Sequence, residues 1–145
     1  MVHIEDLGSH FDAPIDTLWA FIQSPGDHGR SHTDRRNVRG EPDGENRLKS
    51  SWEQNVNGQW VKVVNRVTMF PPVAMLIHSE EGPLAGSRFL FYYAPNGSKT
   101  GVSVVGDFQS PTIPPAQLQT AVLASLEHAF DKDSEALRHF AAKKH

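Results

Sequence analysis

A chain of 145 residues, 38% hydrophobic and 21% charged, has the size and composition of one folded domain and not of a disordered segment. A net charge of −3 speaks against a phosphate-backbone partner, and the absence of cysteine removes disulfides and thiolate metal sites while agreeing with a reducing cytoplasm. No apolar run approaches the roughly 20 residues of a membrane span, and "MVHIEDLGSHF" lacks the basic start and apolar core of a secretory leader. These features predict a single cytoplasmic domain over residues 1–145, with no nucleic-acid partner and no stable membrane insertion.

Residues 2–11 mix apolar and polar positions as a first strand does. "DAPIDTLWAFIQ" reads as a helix, with Asp12 as N-cap, Pro14 in the first turn, and Ile15, Leu18, Trp19 and Ile22 on one apolar stripe. "SPG" at 24–26 ends it, and "EPDGE" at 41–45 turns between two strands. "RLKSSWEQNVNGQWVKVVNRVTMF" is two alternating runs about Asn57-Gly58, a hairpin signature. Its second run sets Val61, Val63, Val67 and Met69 on one face and Lys62, Arg66 and Thr68 on the other, as in a sheet with one covered side. "FPPVAMLIHSEEG" turns at Pro71-Pro72 into another strand. "SRFLFYYAPNGSKTGVSVVGDF" predicts a second hairpin, about Asn96-Gly97, with Phe89, Phe91 and Tyr93 on one side. Beyond "SPTIPP" the period changes: Leu118, Val122, Leu126, Ala129, Phe130, Leu137 and Phe140 recur at helical spacing over 115–142. The order is strand, short helix, antiparallel strands and long helix, an α+β chain in which one helix covers one sheet face.

The segment "SPGDHGRSHTD" (24–34) carries His28 and His32 four apart. Spacing of four presents two ligands together only on a helix, and Gly26 and Gly29 disfavour one. Four arginines (30, 35, 36 and 39) against two aspartates between Asp27 and Arg39 also make the local field positive. No metal site is expected. With no Walker loop, GxGxxG, GxSxG or HExxH present, no cofactor and no catalytic constellation is expected either.

"FDAPIDTLWAFI", "VTMFPPVAMLIHSEEGPLAG", "NGSKTGVSVVGDF" and the closing helix together resemble the START/Bet v 1-like superfamily, which includes polyketide cyclase/dehydrase and lipid-transport proteins. The resemblance covers nearly the whole chain and consists of structural punctuation, not catalytic motifs. It implies a helix-grip fold: a curved antiparallel sheet wrapped around the long C-terminal helix, with one or more short N-terminal helices and an apolar cavity between sheet and helix. One departure stands out. Many relatives carry a Trp soon after the first helix, where this chain has "HGRSHTD". The resemblance also implies that this stretch lies near the cavity mouth, where His32 could touch a ligand and Arg30, Arg35 or Arg36 could hold an anionic head group; exposed side chains solvating a loop are the alternative.

Two polar residues stand where the pattern wants apolar ones. Asn65 shares the face of Val63 and Val67, and a buried amide without a partner costs about 1–3 kcal/mol. It is either a polar contact inside the pocket, or a residue at a bulge, or one whose side chain bonds neighbouring backbone. Asp133 projects among Val122, Leu126, Leu137 and Phe140 if the helix is unbroken. It would then be a pocket acid. The commoner arrangement, and the expectation here, is that "DKDSE" (131–135) breaks the helix and Asp133 caps a second short helix facing water.

Three functions follow from these features. The first is binding of a hydrophobic or amphipathic small molecule (lipid, quinone or polyketide-like) against Trp52, Val63, Met69, Phe91, Tyr93 and Phe130, with Asn65 and His32 as polar contacts. The second is a polyketide cyclase/dehydrase-like enzyme using Asp133 or His32 as acid or base. The third is a protein-interaction module of the Hsp90 co-chaperone type, with a filled interior and an exposed apolar patch.

Overall fold

The computed structural model describes residues 1–24 and 34–143. In chain order these form β1 (Val2–Phe11), α1 (Ile15–Ile22), β2 (Arg35–Pro42), β3 (Arg47–Val56), β4 (Gln59–Phe70), β5 (Ala74–Glu81), β6 (Arg88–Asn96), β7 (Lys99–Phe108) and α2 (Pro115–Lys143). Seven strands make one antiparallel sheet in the order β1-β7-β6-β5-β4-β3-β2. Register shifts in β1 (between Asp6 and Ser9), β2 (between Arg36 and Arg39) and β5 (at Glu80, opposite Val64 and Asn65) add the local twist that curls a sheet. The curved sheet with its long C-terminal helix is the expected helix-grip fold.

The β3–β4 turn is the one the sequence predicts: Asn57 and Gly58 both take positive φ, as a type I′ hairpin needs, and Val56 pairs with Gln59. The later hairpin sits one residue further on than expected. Asn96 pairs with Lys99, so the turn residues are Gly97 and Ser98, with Gly97 at φ 64 in the first central position. The cause is chemical: a II′-type turn wants glycine first, and the strand keeps Asn96.

Asp12 does not cap α1. Pro14 holds the N-cap position in an extended conformation, its carbonyl accepts from Leu18 N at 3.0 Å, and the Asp12 carboxylate lies 3.7 Å from Lys99. Phe21, outside the expected stripe, is among the most buried side chains, because α1 packs on both sheet and α2. The Thr100 hydroxyl donates to Ala13 O at 2.7 Å, and the Trp19 indole N–H donates to Pro72 O at 2.7 Å, fixing α1 to β7 and to the β4–β5 turn.

α2 is continuous from 115 to 143, so the expected break at 131–135 does not form. Its inward stripe runs Leu118, Val122, Leu126, Asp133, Leu137, and its backbone comes closest to β1 and α1. The core therefore gathers at that side of the sheet. One cluster joins Ile4, Val104, Phe108, Leu118 and Val122; the other joins Phe11, Trp19, Phe21, Val102 and Leu137. Gly106 lets β7 and β6 close up here, since a Cβ would lie 2.4 Å from Arg88 O and 2.5 Å from Phe89 Cβ.

Candidate functional site

Register fixes which side chains face α2. Opposite β4's Val61, Val63, Asn65 and Val67 stand β3's Gln54, Trp52, Ser50 and Leu48, all on the concave face. β5 adds Met75, Ile77 and Ser79, and β6 adds Phe89, Phe91 and Tyr93. Near α1 and α2 this wall is closed: Tyr93 and Val102 are buried, Tyr93 meets Trp19 edge-on at 5.6 Å, and Phe130 stacks on Phe11 at 4.6 Å. Toward β3 and β4 it is open. Leu48, Ser50, Trp52, Gln54, Val61 and Asn65 face inward yet stay partly exposed among the described residues, with only Val63 and Val64 fully buried on those two strands.

Of the residues expected to line a pocket, Met69, Phe91, Tyr93 and Phe130 come together in the cluster against α1 and the C-terminal half of α2. Trp52, Val63 and Asn65 share the neighbouring, more open part of the same face. Phe130 also borders a separate open cleft of about 430 Å³ outside the wall, with His10, Asp12, Asp131, Ser134, Glu135 and Arg138. That cleft is polar and takes in none of Trp52, Asn65 or Tyr93. His28, His32 and Arg30 lie outside the described residues.

Asn65 sits where the β4–β5 register shifts: Val64 pairs with Glu81 and Asn65 with Ser79, so the extra residue, Glu80, is on β5. Its side-chain carbonyl is buried with no hydrogen-bond partner among the described residues. Asp133 is partly buried on the inward stripe of α2, not a water-facing cap. Its charge bears on two groups of the sheet. Tyr93, almost wholly buried, has its phenol pushed well up, first by burial and then by Asp133. The Arg35 guanidinium is drawn down by burial, against the opposing charges of Asp133 and Asp34. The phenol therefore stays protonated and the guanidinium charged at neutral pH.

The sequence did not identify the setting of Arg35. It is a strand residue paired with Gln54, and its guanidinium lies 4.3 Å from the centre of the Trp52 ring. Its neighbour Arg36 turns outward instead, over Trp60 at 4.1 Å and against Glu53 at 3.2 Å. A polar chain holds Trp52 in place: its indole N–H donates to Gln54 Oε1 (3.1 Å), Gln54 Nε2 donates to Asp34 Oδ2 (2.6 Å), and the same Asp34 oxygen lies 3.7 Å from His128 Nε2 on α2. Sheet and helix are thus linked by polar groups on the open side and by packed apolar groups on the other. Among the described residues, no group of three or more His, Asp or Glu side chains could hold a metal, and no helix is long and apolar enough to cross a membrane.

No family model matches the chain, and no curated protein matches it in sequence. Solved structures do match in fold. The protein TTHA0849 from Thermus thermophilus superposes with a TM-score of 0.76 at 15% identity, over 95% of this chain and 97% of the other. The Zhui aromatase/cyclase from Streptomyces sp. R1128 gives 0.76 at 14% identity, over 99% and 96%. A START superfamily protein from Mycobacterium smegmatis gives 0.72 at 11%, over 94% and 97%. The chain has the START/Bet v 1-like, polyketide cyclase-type fold. At these identities the likeness is one of fold alone.

Proposed function

We propose that the protein binds a hydrophobic or amphipathic small molecule between the β3–β6 part of the sheet and α2. The observation that carries this reading is the inward face of β3 and β4: aromatic and aliphatic side chains turned toward the helix but mostly only partly buried, with an amide carbonyl unpartnered among the described residues. Pockets are concave, mainly apolar and marked by a few convergent polar groups, and this wall has that composition. Trp52 and Val63 on the open part, with Met69, Phe91, Tyr93 and Phe130 at its closed end, form the apolar lining in this reading, with Asn65 and His32 as polar contacts and Arg35 as a fixed cation beside Trp52.

The test is thermal unfolding against lipids, quinones, flavonoids and polyketide-like aromatics. A ligand at one hundred times its dissociation constant adds about 2.7 kcal/mol of stability when it binds only the folded chain. A shift confined to one chemical class supports the proposal and names the ligand type. No shift across the panel counts against it and in favour of a protein partner.

A cyclase/dehydrase-like activity is a second reading, favoured by one observation: Asp133 faces inward and its charge reaches the protonated Tyr93. An aspartate that takes a proton beside a substrate carbonyl, with a phenol donating to that carbonyl oxygen, is a workable general acid–base pair. Asp133→Asn should then abolish turnover of a polyketide-like substrate while leaving its binding within a few fold. Equal loss of both would argue for a binding role alone.

A further inference from the structure

We propose that the ligand carries a hydroxyl group on an otherwise apolar ring system, and that this hydroxyl donates to the side-chain carbonyl of Asn65. The proposal rests on the pocket reading above and narrows the ligand class. Register places Asn65 between Ser50 of β3 and Ser79 of β5, so one row of small polar side chains crosses the wall. The rows on either side are apolar: Trp52 with Val63, and Leu48 with Val67 and Ile77. The polar row is therefore a single band, at a fixed height on the sheet.

Within that band one atom lacks a partner. The Asn65 carbonyl is buried and unbonded among the described residues, even though buried Ser79 is its direct cross-strand neighbour. Only a donor can complete an acceptor. A ligand methyl, ether or ketone placed there leaves the carbonyl as it is, and a carboxylate is repelled by it. The flanking rows accept flat or aliphatic carbon. An alcohol or phenol with its hydroxyl at the band and its rings along Trp52 and Val67 satisfies both requirements, and a plain hydrocarbon satisfies only one.

The experiment compares 2-naphthol with 2-methylnaphthalene, which differ by hydroxyl against methyl at nearly constant shape, on the wild-type chain and on Asn65→Leu. The expected result is that the wild type binds 2-naphthol at least about tenfold more tightly. In Asn65→Leu that preference should disappear, with the unfolding temperature of the free protein unchanged or raised because an unsatisfied buried group has been removed. Equal binding of the two probes by the wild type overturns the hydroxyl assignment while leaving the pocket standing. A preference that survives in Asn65→Leu, or a marked fall in that variant's unfolding temperature, also overturns it, since the carbonyl would then be doing something else. Binding of neither probe removes the assignment together with the pocket reading beneath it.

Discussion

The two halves of the concave face are built from similar strands and end differently. On the β6–β7–β1 half, inward residues such as Val104, Phe108 and Ile4 are at most 6% exposed, because α2 lies over them and Phe89 stacks on Phe108 at 5.0 Å. On the β2–β3–β4 half the same inward alternation lies away from β1 and α1, which the α2 backbone approaches most closely, and Trp52, Gln54 and Asn65 remain partly open. One half packs its apolar surface against α2, and the other leaves apolar and polar side chains partly exposed. The difference follows from where one helix can touch a curved sheet.

The sharpest way to break this comparison is a pair of truncations followed by urea unfolding. Phe108→Ala should cost about 3–5 kcal/mol, the usual range for emptying a tightly packed aromatic site. Trp52→Leu should cost only about 1–2 kcal/mol, for the lost contact with Arg35 and the hydrogen bond to Gln54, yet weaken any pocket ligand strongly. Equal destabilisation by the two would mean that both halves are ordinary core.

Next in size is an alkaline effect. The folded-state pKa of Tyr93 lies above the value near 10 expected in the unfolded chain, so its contribution to stability is intact below pH 10 and lost as pH climbs further. Unfolding free energy should fall there by up to about 1.4 kcal/mol per pH unit from this residue. Tyr93→Phe should flatten that slope, as measured by urea titrations between pH 9 and 11. A parallel slope in the variant would contradict the burial of the phenol. Smaller again is Trp19→Phe, which removes the indole bond to Pro72 O and should cost about 1 kcal/mol.

The smallest effect lies at the closed half's outer edge. Glu5 and then Asp107 hold the exposed His3 imidazolium above its ordinary value by hydrogen bonding at 3.1 Å each. The attraction is present below pH 6.5 and fades as pH rises through the higher folded-state pKa. An NMR titration of His3 should move down in Asp107→Asn, and an unchanged midpoint would show that the contact is not formed in solution.

Much of this arrangement was legible from sequence, and the reasons differ by region. The Asn57-Gly58 turn alone determines that Trp52 meets Val63 and Ser50 meets Asn65, because a two-residue hairpin leaves no freedom of register. Ser79's place beside Asn65 could not be read off, since the extra residue Glu80 on β5 shifts the pairing with β4 at that point. Arg35 was hidden for another reason. β2 is an exposed, arginine-rich edge strand with its own register shift, and its composition resembles a solvated loop. Asp133 was misjudged because local capping preferences favour a break, whereas packing on both sides by Phe130 and Leu137 keeps the helix whole.

The most direct test of the central claim is a ¹H–¹⁵N NMR titration of the wild-type protein with 2-naphthol, following side-chain as well as backbone signals. A ligand between sheet and helix should shift the Trp52 indole and the Asn65 side-chain amide together, with Val63 and Tyr93 backbone signals moving alongside. Shifts gathered instead around Phe70, Leu76 and Tyr92, the exposed apolar residues of the outer sheet face, would contradict the pocket and turn attention to that surface.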